Sequence, residues 1–473
     1  MPSCSNPLFT GSERGITGGY ATRKRVMREL SHCVKQVTYG KEAVVERPYR
    51  LVIWGPGDMG GRALRTALES PDFEVVGVKV FSPHKHGRDI GELAGLAPVG
   101  VAATTSKDEI LALNADCVVH TPTTPALIQG ADTDVVDLLE SGKNVVSAAS
   151  YHNPSMPTWL SASRSPLSVL RTVADMKVTG DAFGARLRPA LRALRAGMRA
   201  VDSAPARPLR PVLERLAGPI VDRALPRRAL GSRLQAACET GGVSLHGTGL
   251  HPGLMVEQLL LRLAGLLDEI TEVRFLEVGD LSAAPDGMWG GLESLGFGMP
   301  LSAVDTNHAI GLMQHFYFDA VLGNVAHALF GAGPDEVRVE RHLSPVPARV
   351  RVRAGGTVIE PGSVGAIHMT YRGYLGDRLF MTNSECWHVG GGNAHLGPDH
   401  PRSRSGGHVI TLDGSPARIE MRNEMDDEAY SADWSAVTDI SVRAMLSAVP
   451  ELCSAPPGVV MPDLDPRYRL ETV

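Results

Sequence analysis

Apolar and polar positions alternate most regularly between residues 48 and 155. Short apolar runs at 51–54, 75–80, 117–119 and 144–147 are rich in valine, the pattern of strands buried on both faces. Between them, 63–69, 107–113 and 132–141 repeat apolar residues at helical spacing. Strands that alternate with helices build a parallel, doubly wound sheet. Beyond about residue 239 strands dominate, at 243–247, 273–278, 346–352, 365–372 and 378–387. Runs at 409–412 and 417–421 flank Asp413-Gly414, a hairpin signal. Helices are expected at 254–267 and 434–446, and Pro456-Pro457-Gly458 ends the regular structure. The fold class that follows is α/β: a doubly wound parallel sheet, then a second α+β domain with a mostly antiparallel sheet.

The stretch between these two halves has a different character. From 160 to 233 there are fifteen basic residues and five acids, a local net charge of +10 in a chain of net charge −5. Leu187, Leu191, Leu194, Met198 and Val201 recur at helical spacing beside Arg188, Arg192, Arg195 and Arg199, and a second helical run covers 212–225. A basic amphipathic helix can meet a membrane surface or an acidic partner. More commonly such a face packs on its own protein and leaves the arginines in water, which is the reading preferred here. The apolar stripe must still be covered, and a second subunit is the most economical cover. The expected division is an extension at 1–47, a first domain at 48–155, an Arg-rich insertion at 156–238, a substrate and oligomerisation domain at 239–425, and a closing helix and tail at 426–473.

Composition narrows the setting. At 473 residues, with 43% hydrophobic and 21% charged residues, the chain is an ordinary globular protein of two or three domains. The net charge gives no reason to expect a nucleic-acid partner. No apolar run approaches the ~20 residues of a membrane span, and no signal-peptide core stands at the N-terminus. Six scattered cysteines without a CxxC pair read as reduced thiols. A cytoplasmic protein with no membrane partner is expected.

Chemistry enters after the first strand. Gly55, Gly57 and Gly60 stand at GxGxxG spacing around Asp58 and Met59, between a strand and a helix. In a dinucleotide site the first glycine makes the tight turn, the second admits the pyrophosphate and the third lets helix and strand pack closely. The helix start adds backbone N–H groups and a positive dipole end. Ligands of such sheets lie at the carboxyl ends of the strands, which singles out the loops 81–88, 120–124 (with Thr121 and Pro122) and 148–154. The first loop has no acid at the strand end to accept from a ribose 2′-OH. Ser82, Lys85 and Arg88 can instead surround a 2′-phosphate, which favours NADP over NAD; the alternative is a basic solvated turn.

The glycine loop, the segment Gly247-Thr248-Gly249-Leu250-His251-Pro252-Gly253, Leu295-Gly296-Phe297-Gly298-Met299-Pro300 and Ala455-Pro456-Pro457-Gly458 together resemble one family. It is the dihydrodipicolinate reductase-like group of NAD(P)-dependent oxidoreductases, which includes 2,4-diaminopentanoate dehydrogenase and native amine dehydrogenases. The resemblance covers roughly 48–155 and 235–465. It implies a Rossmann domain, NAD(P) and hydride transfer at a carbon–nitrogen bond. Two departures stand out. The His-His motif of true dihydrodipicolinate reductases is missing. The Glu pair of the amine-oxidising relatives, after the strand at 144–147, is replaced by Ala149-Ser150-Tyr151-His152.

Hydride transfer needs a proton handled nearby. Tyr151 and His152 are the candidates in that loop, and His120 ends the neighbouring strand. His246, Thr248 and His251 around the GTG turn are candidate substrate contacts. His388, His395, His400 and His408 with Asp399 surround three glycines but match no metal-ligand spacing, so no metal is expected. The reading is a homo-oligomeric NAD(P)-dependent oxidoreductase acting on a small amine, imine or amino acid. The alternatives are a catalytically inactive dinucleotide-binding regulatory protein, and a carbonyl or alcohol dehydrogenase of the homoserine dehydrogenase-like type.

Overall fold

In the computed structural model the described residues are 47–122, 132–149, 151, 165–179, 181–224, 230–282, 291–395, 406–425 and 435–461. The first sheet begins with β1 (Tyr49–Trp54), helix α1 (Asp58–Glu69) and β2 (Phe73–Lys79). It continues through α2 (Lys107–Ala112), β3 (Cys117–His120), α3 (Asp132–Glu140) and β4 (Asn144–Ser147). Leu51, Val52, Ile53 and Trp54 are all buried, as a strand covered on both faces must be.

Three helices follow, α4 (Pro166–Asp175), α5 (Asp181–Val201) and α6 (Arg210–Ala224), and then α7 (Leu230–Gly241) and β5 (Ser244–Gly247). The second sheet comprises β6 (Glu269–Asp280), β7 (Val337–Pro347), β10 (Val364–Leu375), β11 (Arg378–His388), β12 (Gly406–Ser415) and β13 (Ile419–Glu424). A small ribbon, β8 (Val352–Ala354) with β9 (Thr357–Ile359), stands beside it. Helix α8 (Ala309–Phe330) lies between β6 and β7 in the chain, and α9 (Ser435–Ser454) and β14 (Gly458–Val459) close the described part.

The first sheet is wholly parallel, in the order β14-β5-β4-β3-β1-β2. Two of its strands, β5 and β14, come from beyond residue 155, where the sequence placed the end of this domain. α9 belongs to it as well: Val442, Met445, Val449 and Leu452 share a core with Leu51, Ile53, Leu64 and Val119. On the other face Val135, Leu138, Leu234 and Cys238, from α3 and α7, pack on Val52, Val118 and Val145. A four-residue strand such as 244–247 does not encode which sheet it joins; the surrounding helices decide.

The second sheet runs β13-β12-β6-β11-β10-β7 and is antiparallel except for the β6–β11 pair. α8 and the helix running from 254 to 264 supply Phe318, Val321, Leu322, Val256 and Leu260 to a core with Phe275, Ile367, Tyr371 and Ile410. Two details differ from the sequence reading. β7 lies at Val337–Pro347 rather than 346–352. The β12 strand runs through Asp413-Gly414, so the hairpin turns after Ser415 instead.

The Arg-rich segment builds its own small core. Leu167, Ala174 and Met198 are buried, with Leu170, Leu194, Val201, Leu213 and Ala217 packed around them. From Leu194 to Val201 the stripe on α5, for which a second subunit was expected, is therefore covered by α4 and α6. The segment is also tied to the second half: Lys177 N–H donates to Asn307 O (2.8 Å) and Ala309 N–H to Lys177 O (2.7 Å).

Candidate active site where the parallel sheet meets the second sheet

The glycine loop leaves β1 with Gly55 at φ +88°, a conformation that favours glycine. Gly60 packs so closely that a Cβ there would lie 2.2 Å from Gly55 O and 2.5 Å from Thr121 Oγ1. Gly57 is exposed, and a Cβ on it would meet nothing within 4 Å. No side chain caps the first turn of α1, whose N-cap is Gly57. Open space at Gly57 before an uncapped helix N-terminus fits a pyrophosphate. Asp58 is exposed in that first turn and Met59 is half-buried. Thr121 backs the loop from below, donating to Trp54 O (3.1 Å) and Gly55 O (2.9 Å), and Pro122 follows it at the end of β3.

Of the three residues expected around a 2′-phosphate, Lys85 reaches the loop, its ammonium donating to Pro56 O at 2.9 Å. Ser82 Oγ lies 2.9 Å from His84 Nδ1, and Arg88 pairs with Glu92 at 3.9 Å.

The loop after β4 does not present Tyr151 to a ligand. Tyr151 is fully buried among Leu138, Val145 and Leu245, and its hydroxyl donates to Asp132 Oδ1 at 2.5 Å. A bulky apolar body with a hydroxyl that finds a partner is how a tyrosine fills a core. His152 lies outside the described residues. His120 is buried with Nδ1 2.8 Å from Ser147 Oγ. His246 Nδ1 lies 2.9 Å from Val460 O, and burial lowers the pKa of its ring, so it serves the β5–β14 edge as a neutral imidazole.

The GTG turn carries the chain out of the parallel sheet. Thr248 N–H donates to Ser147 O (2.9 Å), and its side chain is fully buried, its hydroxyl without a hydrogen-bond partner among the described residues. Gly253, at φ +122°, leaves a space that a Cβ would fill only by approaching Thr248 Oγ1 to 2.8 Å. Its N–H donates to Glu257 Oε2 at 2.6 Å, while Asn324 on α8 donates to Glu257 Oε1 at 3.2 Å. Glu257 is fully buried, and burial raises its pKa to about 7 against these two hydrogen bonds.

Between Thr248 and Gly253 the turn projects His251 onto the face of the second sheet. Its ring stacks on Phe318 with centroids 5.1 Å apart and lies 4.2 Å from the Phe275 ring. Its Nε2 is 3.0 Å from Glu385 Oε1, with the two side chains 1% and 0% exposed. Glu385 Oε1 also accepts from Asn383 Nδ2 at 2.7 Å, and Oε2 is buried without a partner among the described residues. In the strand register Glu277 on β6 lies directly between Glu385 on β11 and His408 on β12. Glu277 accepts from Trp387 Nε1 (3.1 Å) and lies 3.3 Å from His408 Nε2. Asn423 extends the row, its Nδ2 3.2 Å from His408 Nδ1.

Two buried carboxyl groups side by side cannot both ionise cheaply. Burial, and then the negative charge of Glu277, hold Glu385 well above the usual carboxylate range. Burial acts on Glu277 in the same sense, but the hydrogen bond from His408 and the nearby His251 outweigh it and hold Glu277 low. The pair therefore sets two acids of different strength side by side, beside a histidine. The ligand atoms of His251, Glu277 and Glu385 lie within 4.8 Å of one another, a spacing that can also hold a metal ion.

Sequence reasoning named His251 and missed Glu277, Glu385, Asn383 and Trp387. The signal available was polar residues on the core-facing positions of β11, where Met381, Asn383, Glu385 and Trp387 alternate. Of the other expected histidines, His388 lies 3.8 Å from Asp280, and His395 Nε2 lies 3.0 Å from Pro347 O. His400 and Asp399 fall outside the described residues.

A parallel doubly wound sheet with an open glycine loop, joined to a second sheet bearing a buried His–Glu cluster, is the architecture of a Rossmann-type dinucleotide-binding protein. Comparison with known proteins makes this more specific. Residues 49–148 match the family described as dihydrodipicolinate reductase, N-terminus. The chain is 26% identical over 417 residues to an amine dehydrogenase of Streptomyces virginiae, covering 86% of this chain and 93% of that protein. It is 30% identical over 95 residues to a 4-hydroxy-tetrahydrodipicolinate reductase of Synechocystis sp., covering 20% of this chain and 31% of that protein. A solved amine dehydrogenase from Mycobacterium smegmatis has the same fold, with a TM-score of 0.55 and 18% identity over 89% of this chain and 97% of that one. Residues 49–148 thus carry a domain of the dihydrodipicolinate reductase type, and the chain as a whole is similar to oxidoreductases of that kind.

Proposed function

We propose that this oxidoreductase transfers hydride at a carbon–nitrogen bond of a small amine or imine, with His251 and Glu385 managing the proton. The observation that carries this reading is the buried His251–Glu385 contact of 3.0 Å, backed by Glu277 and His408 and reached from the carboxyl end of β5. The similarity to an amine dehydrogenase over most of both chains supports the substrate class.

The residues that would hold the cofactor are Gly55, Gly57, Gly60, Asp58, Met59, Thr121 and Pro122 at the loop, with Ser82, Lys85 and Arg88 at the ribose. The preferred cofactor is NADP, because Lys85 stands at the loop and no acid ends β2. When bound, the nicotinamide supplies the hydride donor or acceptor. The protein's own task is the proton. An alkylammonium must lose a proton before its α-carbon can release hydride, and an imine must gain one before it can accept hydride. His251 and Glu385, in direct contact, are the pair through which that proton passes. Phe275 and Phe318 keep water from the His251 ring.

Oxidation and reduction of NADP(H) and NAD(H) over a panel of amines, imines and aldehydes tests the reading. Turnover of amines or imines, lost about 100-fold in Glu385→Gln with dinucleotide affinity retained, is the expected result. Turnover of alcohols and carbonyls alone, or an unaffected Glu385→Gln variant, would sink it.

A further inference from the structure

Helix α6 turns an apolar face to solvent. Leu209, just before it, and Val212, Leu216 and Ile220 recur every three or four residues and are 56, 54, 62 and 67% exposed. The helix is fixed by its other side. Leu213 and Ala217 pack into the small core of the segment, Val221 is buried, and Glu214 accepts from Ser165 Oγ (2.5 Å) and Leu167 N–H (3.1 Å). Together the four outward side chains expose on the order of 400 Å² of apolar surface, the size of patch that marks an interaction site.

The surroundings of the stripe say what kind of surface it meets. Arg210 and Arg215 flank it, exposed, and Arg188, Arg192 and Arg199 are exposed on α5; none of the five makes an ion pair among the described residues. These arginines belong to the stretch of net charge +10. Pairing α6 with α6 of a second copy would set Arg210 and Arg215 of one against those of the other. Such a stripe would also supply only about half of the ~800 Å² that each partner buries in a stable dimer. The charge asks for an anionic partner and the apolar face for a non-aqueous one. No helix among the described residues is long and apolar enough to cross a membrane. α6, at 15 residues and so about 22 Å, would therefore lie in the plane of an interface.

We propose that the α6 face docks the protein peripherally on an anionic lipid surface, with Leu209, Val212, Leu216 and Ile220 entering the headgroup boundary and the flanking arginines meeting the lipid phosphates. This is independent of the catalytic reading, since none of these residues belongs to the site. The test is co-sedimentation of the full chain with vesicles of phosphatidylcholine alone and with added phosphatidylglycerol. Three proteins are compared: the unmodified chain, Leu216→Ser with Ile220→Ser, and Arg210→Gln with Arg215→Gln. Binding should require phosphatidylglycerol, weaken with salt and fall about tenfold or more in each double variant. Unchanged thermal unfolding and dinucleotide binding would show that both variants are folded. Three outcomes overturn the proposal: no binding to anionic vesicles, equal binding to neutral ones, or a soluble oligomer that light scattering shows to dissociate in the Leu216/Ile220 variant. The last would make the face a contact between copies.

Discussion

Glu257 offers the sharpest physical test of how the His251 turn is held. Its carboxyl group is fully buried, with one oxygen accepting from Gly253 N–H and the other from Asn324. Burial raises its pKa from the ordinary 4.5 to about 7. Between those two values the native state keeps a proton that the unfolded chain has lost. Unfolding then releases the proton, so stability is full below pH 4.5 and falls as pH rises through 7. The shift corresponds to about 3 kcal/mol between the two limits. Glu257→Gln keeps the shape of the side chain and cannot ionise. Urea unfolding of both proteins from pH 4.5 to 8.5, followed by tryptophan fluorescence, should show the variant gaining about 3 kcal/mol on the unmodified chain across that window. Taking the difference between the two proteins cancels the other titrating groups. Stability curves that run parallel would mean that Glu257 is ionised in the native protein at all these pH values, and the account of the turn would fail. Glu257→Ala removes both hydrogen bonds and should lower kcat more than Glu257→Gln, because His251 is then less firmly placed.

Three further outcomes follow from the geometry. Gly57→Glu should abolish dinucleotide affinity in a folded protein, because its Cβ meets nothing within 4 Å while its charge enters the space before α1; Gly60→Ala, 2.2 Å from Gly55 O, should damage folding as well, and thermal unfolding separates the two. Lys85→Ala should weaken NADP far more than NAD in direct binding, and Arg88→Ala should do so to a smaller degree, since Arg88 pairs with Glu92 at 3.9 Å whereas Lys85 already stands at the loop. Tyr151→Phe should cost about 1–2 kcal/mol of stability by removing the hydroxyl that donates to buried Asp132, and leave kcat at saturating substrate near its original value.

The parts of the molecule legible in the sequence are those where local pattern and local chemistry coincide. β1, the glycines and α1 form one continuous stretch whose spacing states its own purpose, and the open space at Gly57 and tight packing at Gly60 match that spacing. The Arg-rich helices were half legible. The periodicity of Leu191 and Met198 marks a helix, but it does not say that α4 and α6 cover this stripe. The outward stripe of α6 is interrupted by Pro211 and Pro219, which obscure its period. The buried His–Glu cluster was not legible. Glu277 and Glu385 each look like one more charged residue in a strand, and they meet only because β6 and β11, about a hundred residues apart, pair in parallel with those two positions in register.

His251 is the exception that links the two kinds of information. It belongs to a turn whose glycines and proline are conspicuous, and that turn is anchored at both ends. At one end Thr248 hydrogen-bonds to Ser147, at the carboxyl edge of the parallel sheet; at the other Gly253 is held by Glu257 and, through it, by Asn324 of α8. A residue between two such anchors has little freedom to move, so its side chain can be aimed with precision at a group on another sheet. The same constraint explains why the sequence exposes His251 and hides its partners. The turn needs special residues to make its shape, whereas Glu385 and Glu277 need only an ordinary strand beneath them. If the turn is what registers the two sheets on each other, Gly253→Ala should disturb more than backbone conformation. With a Cβ forced to within 2.8 Å of Thr248 Oγ1, the His251–Glu385 contact should open, and the pH dependence of turnover should move toward that of Glu385→Gln. A Gly253→Ala variant that is folded and keeps the original pH profile would show that the second sheet, not the turn, places His251.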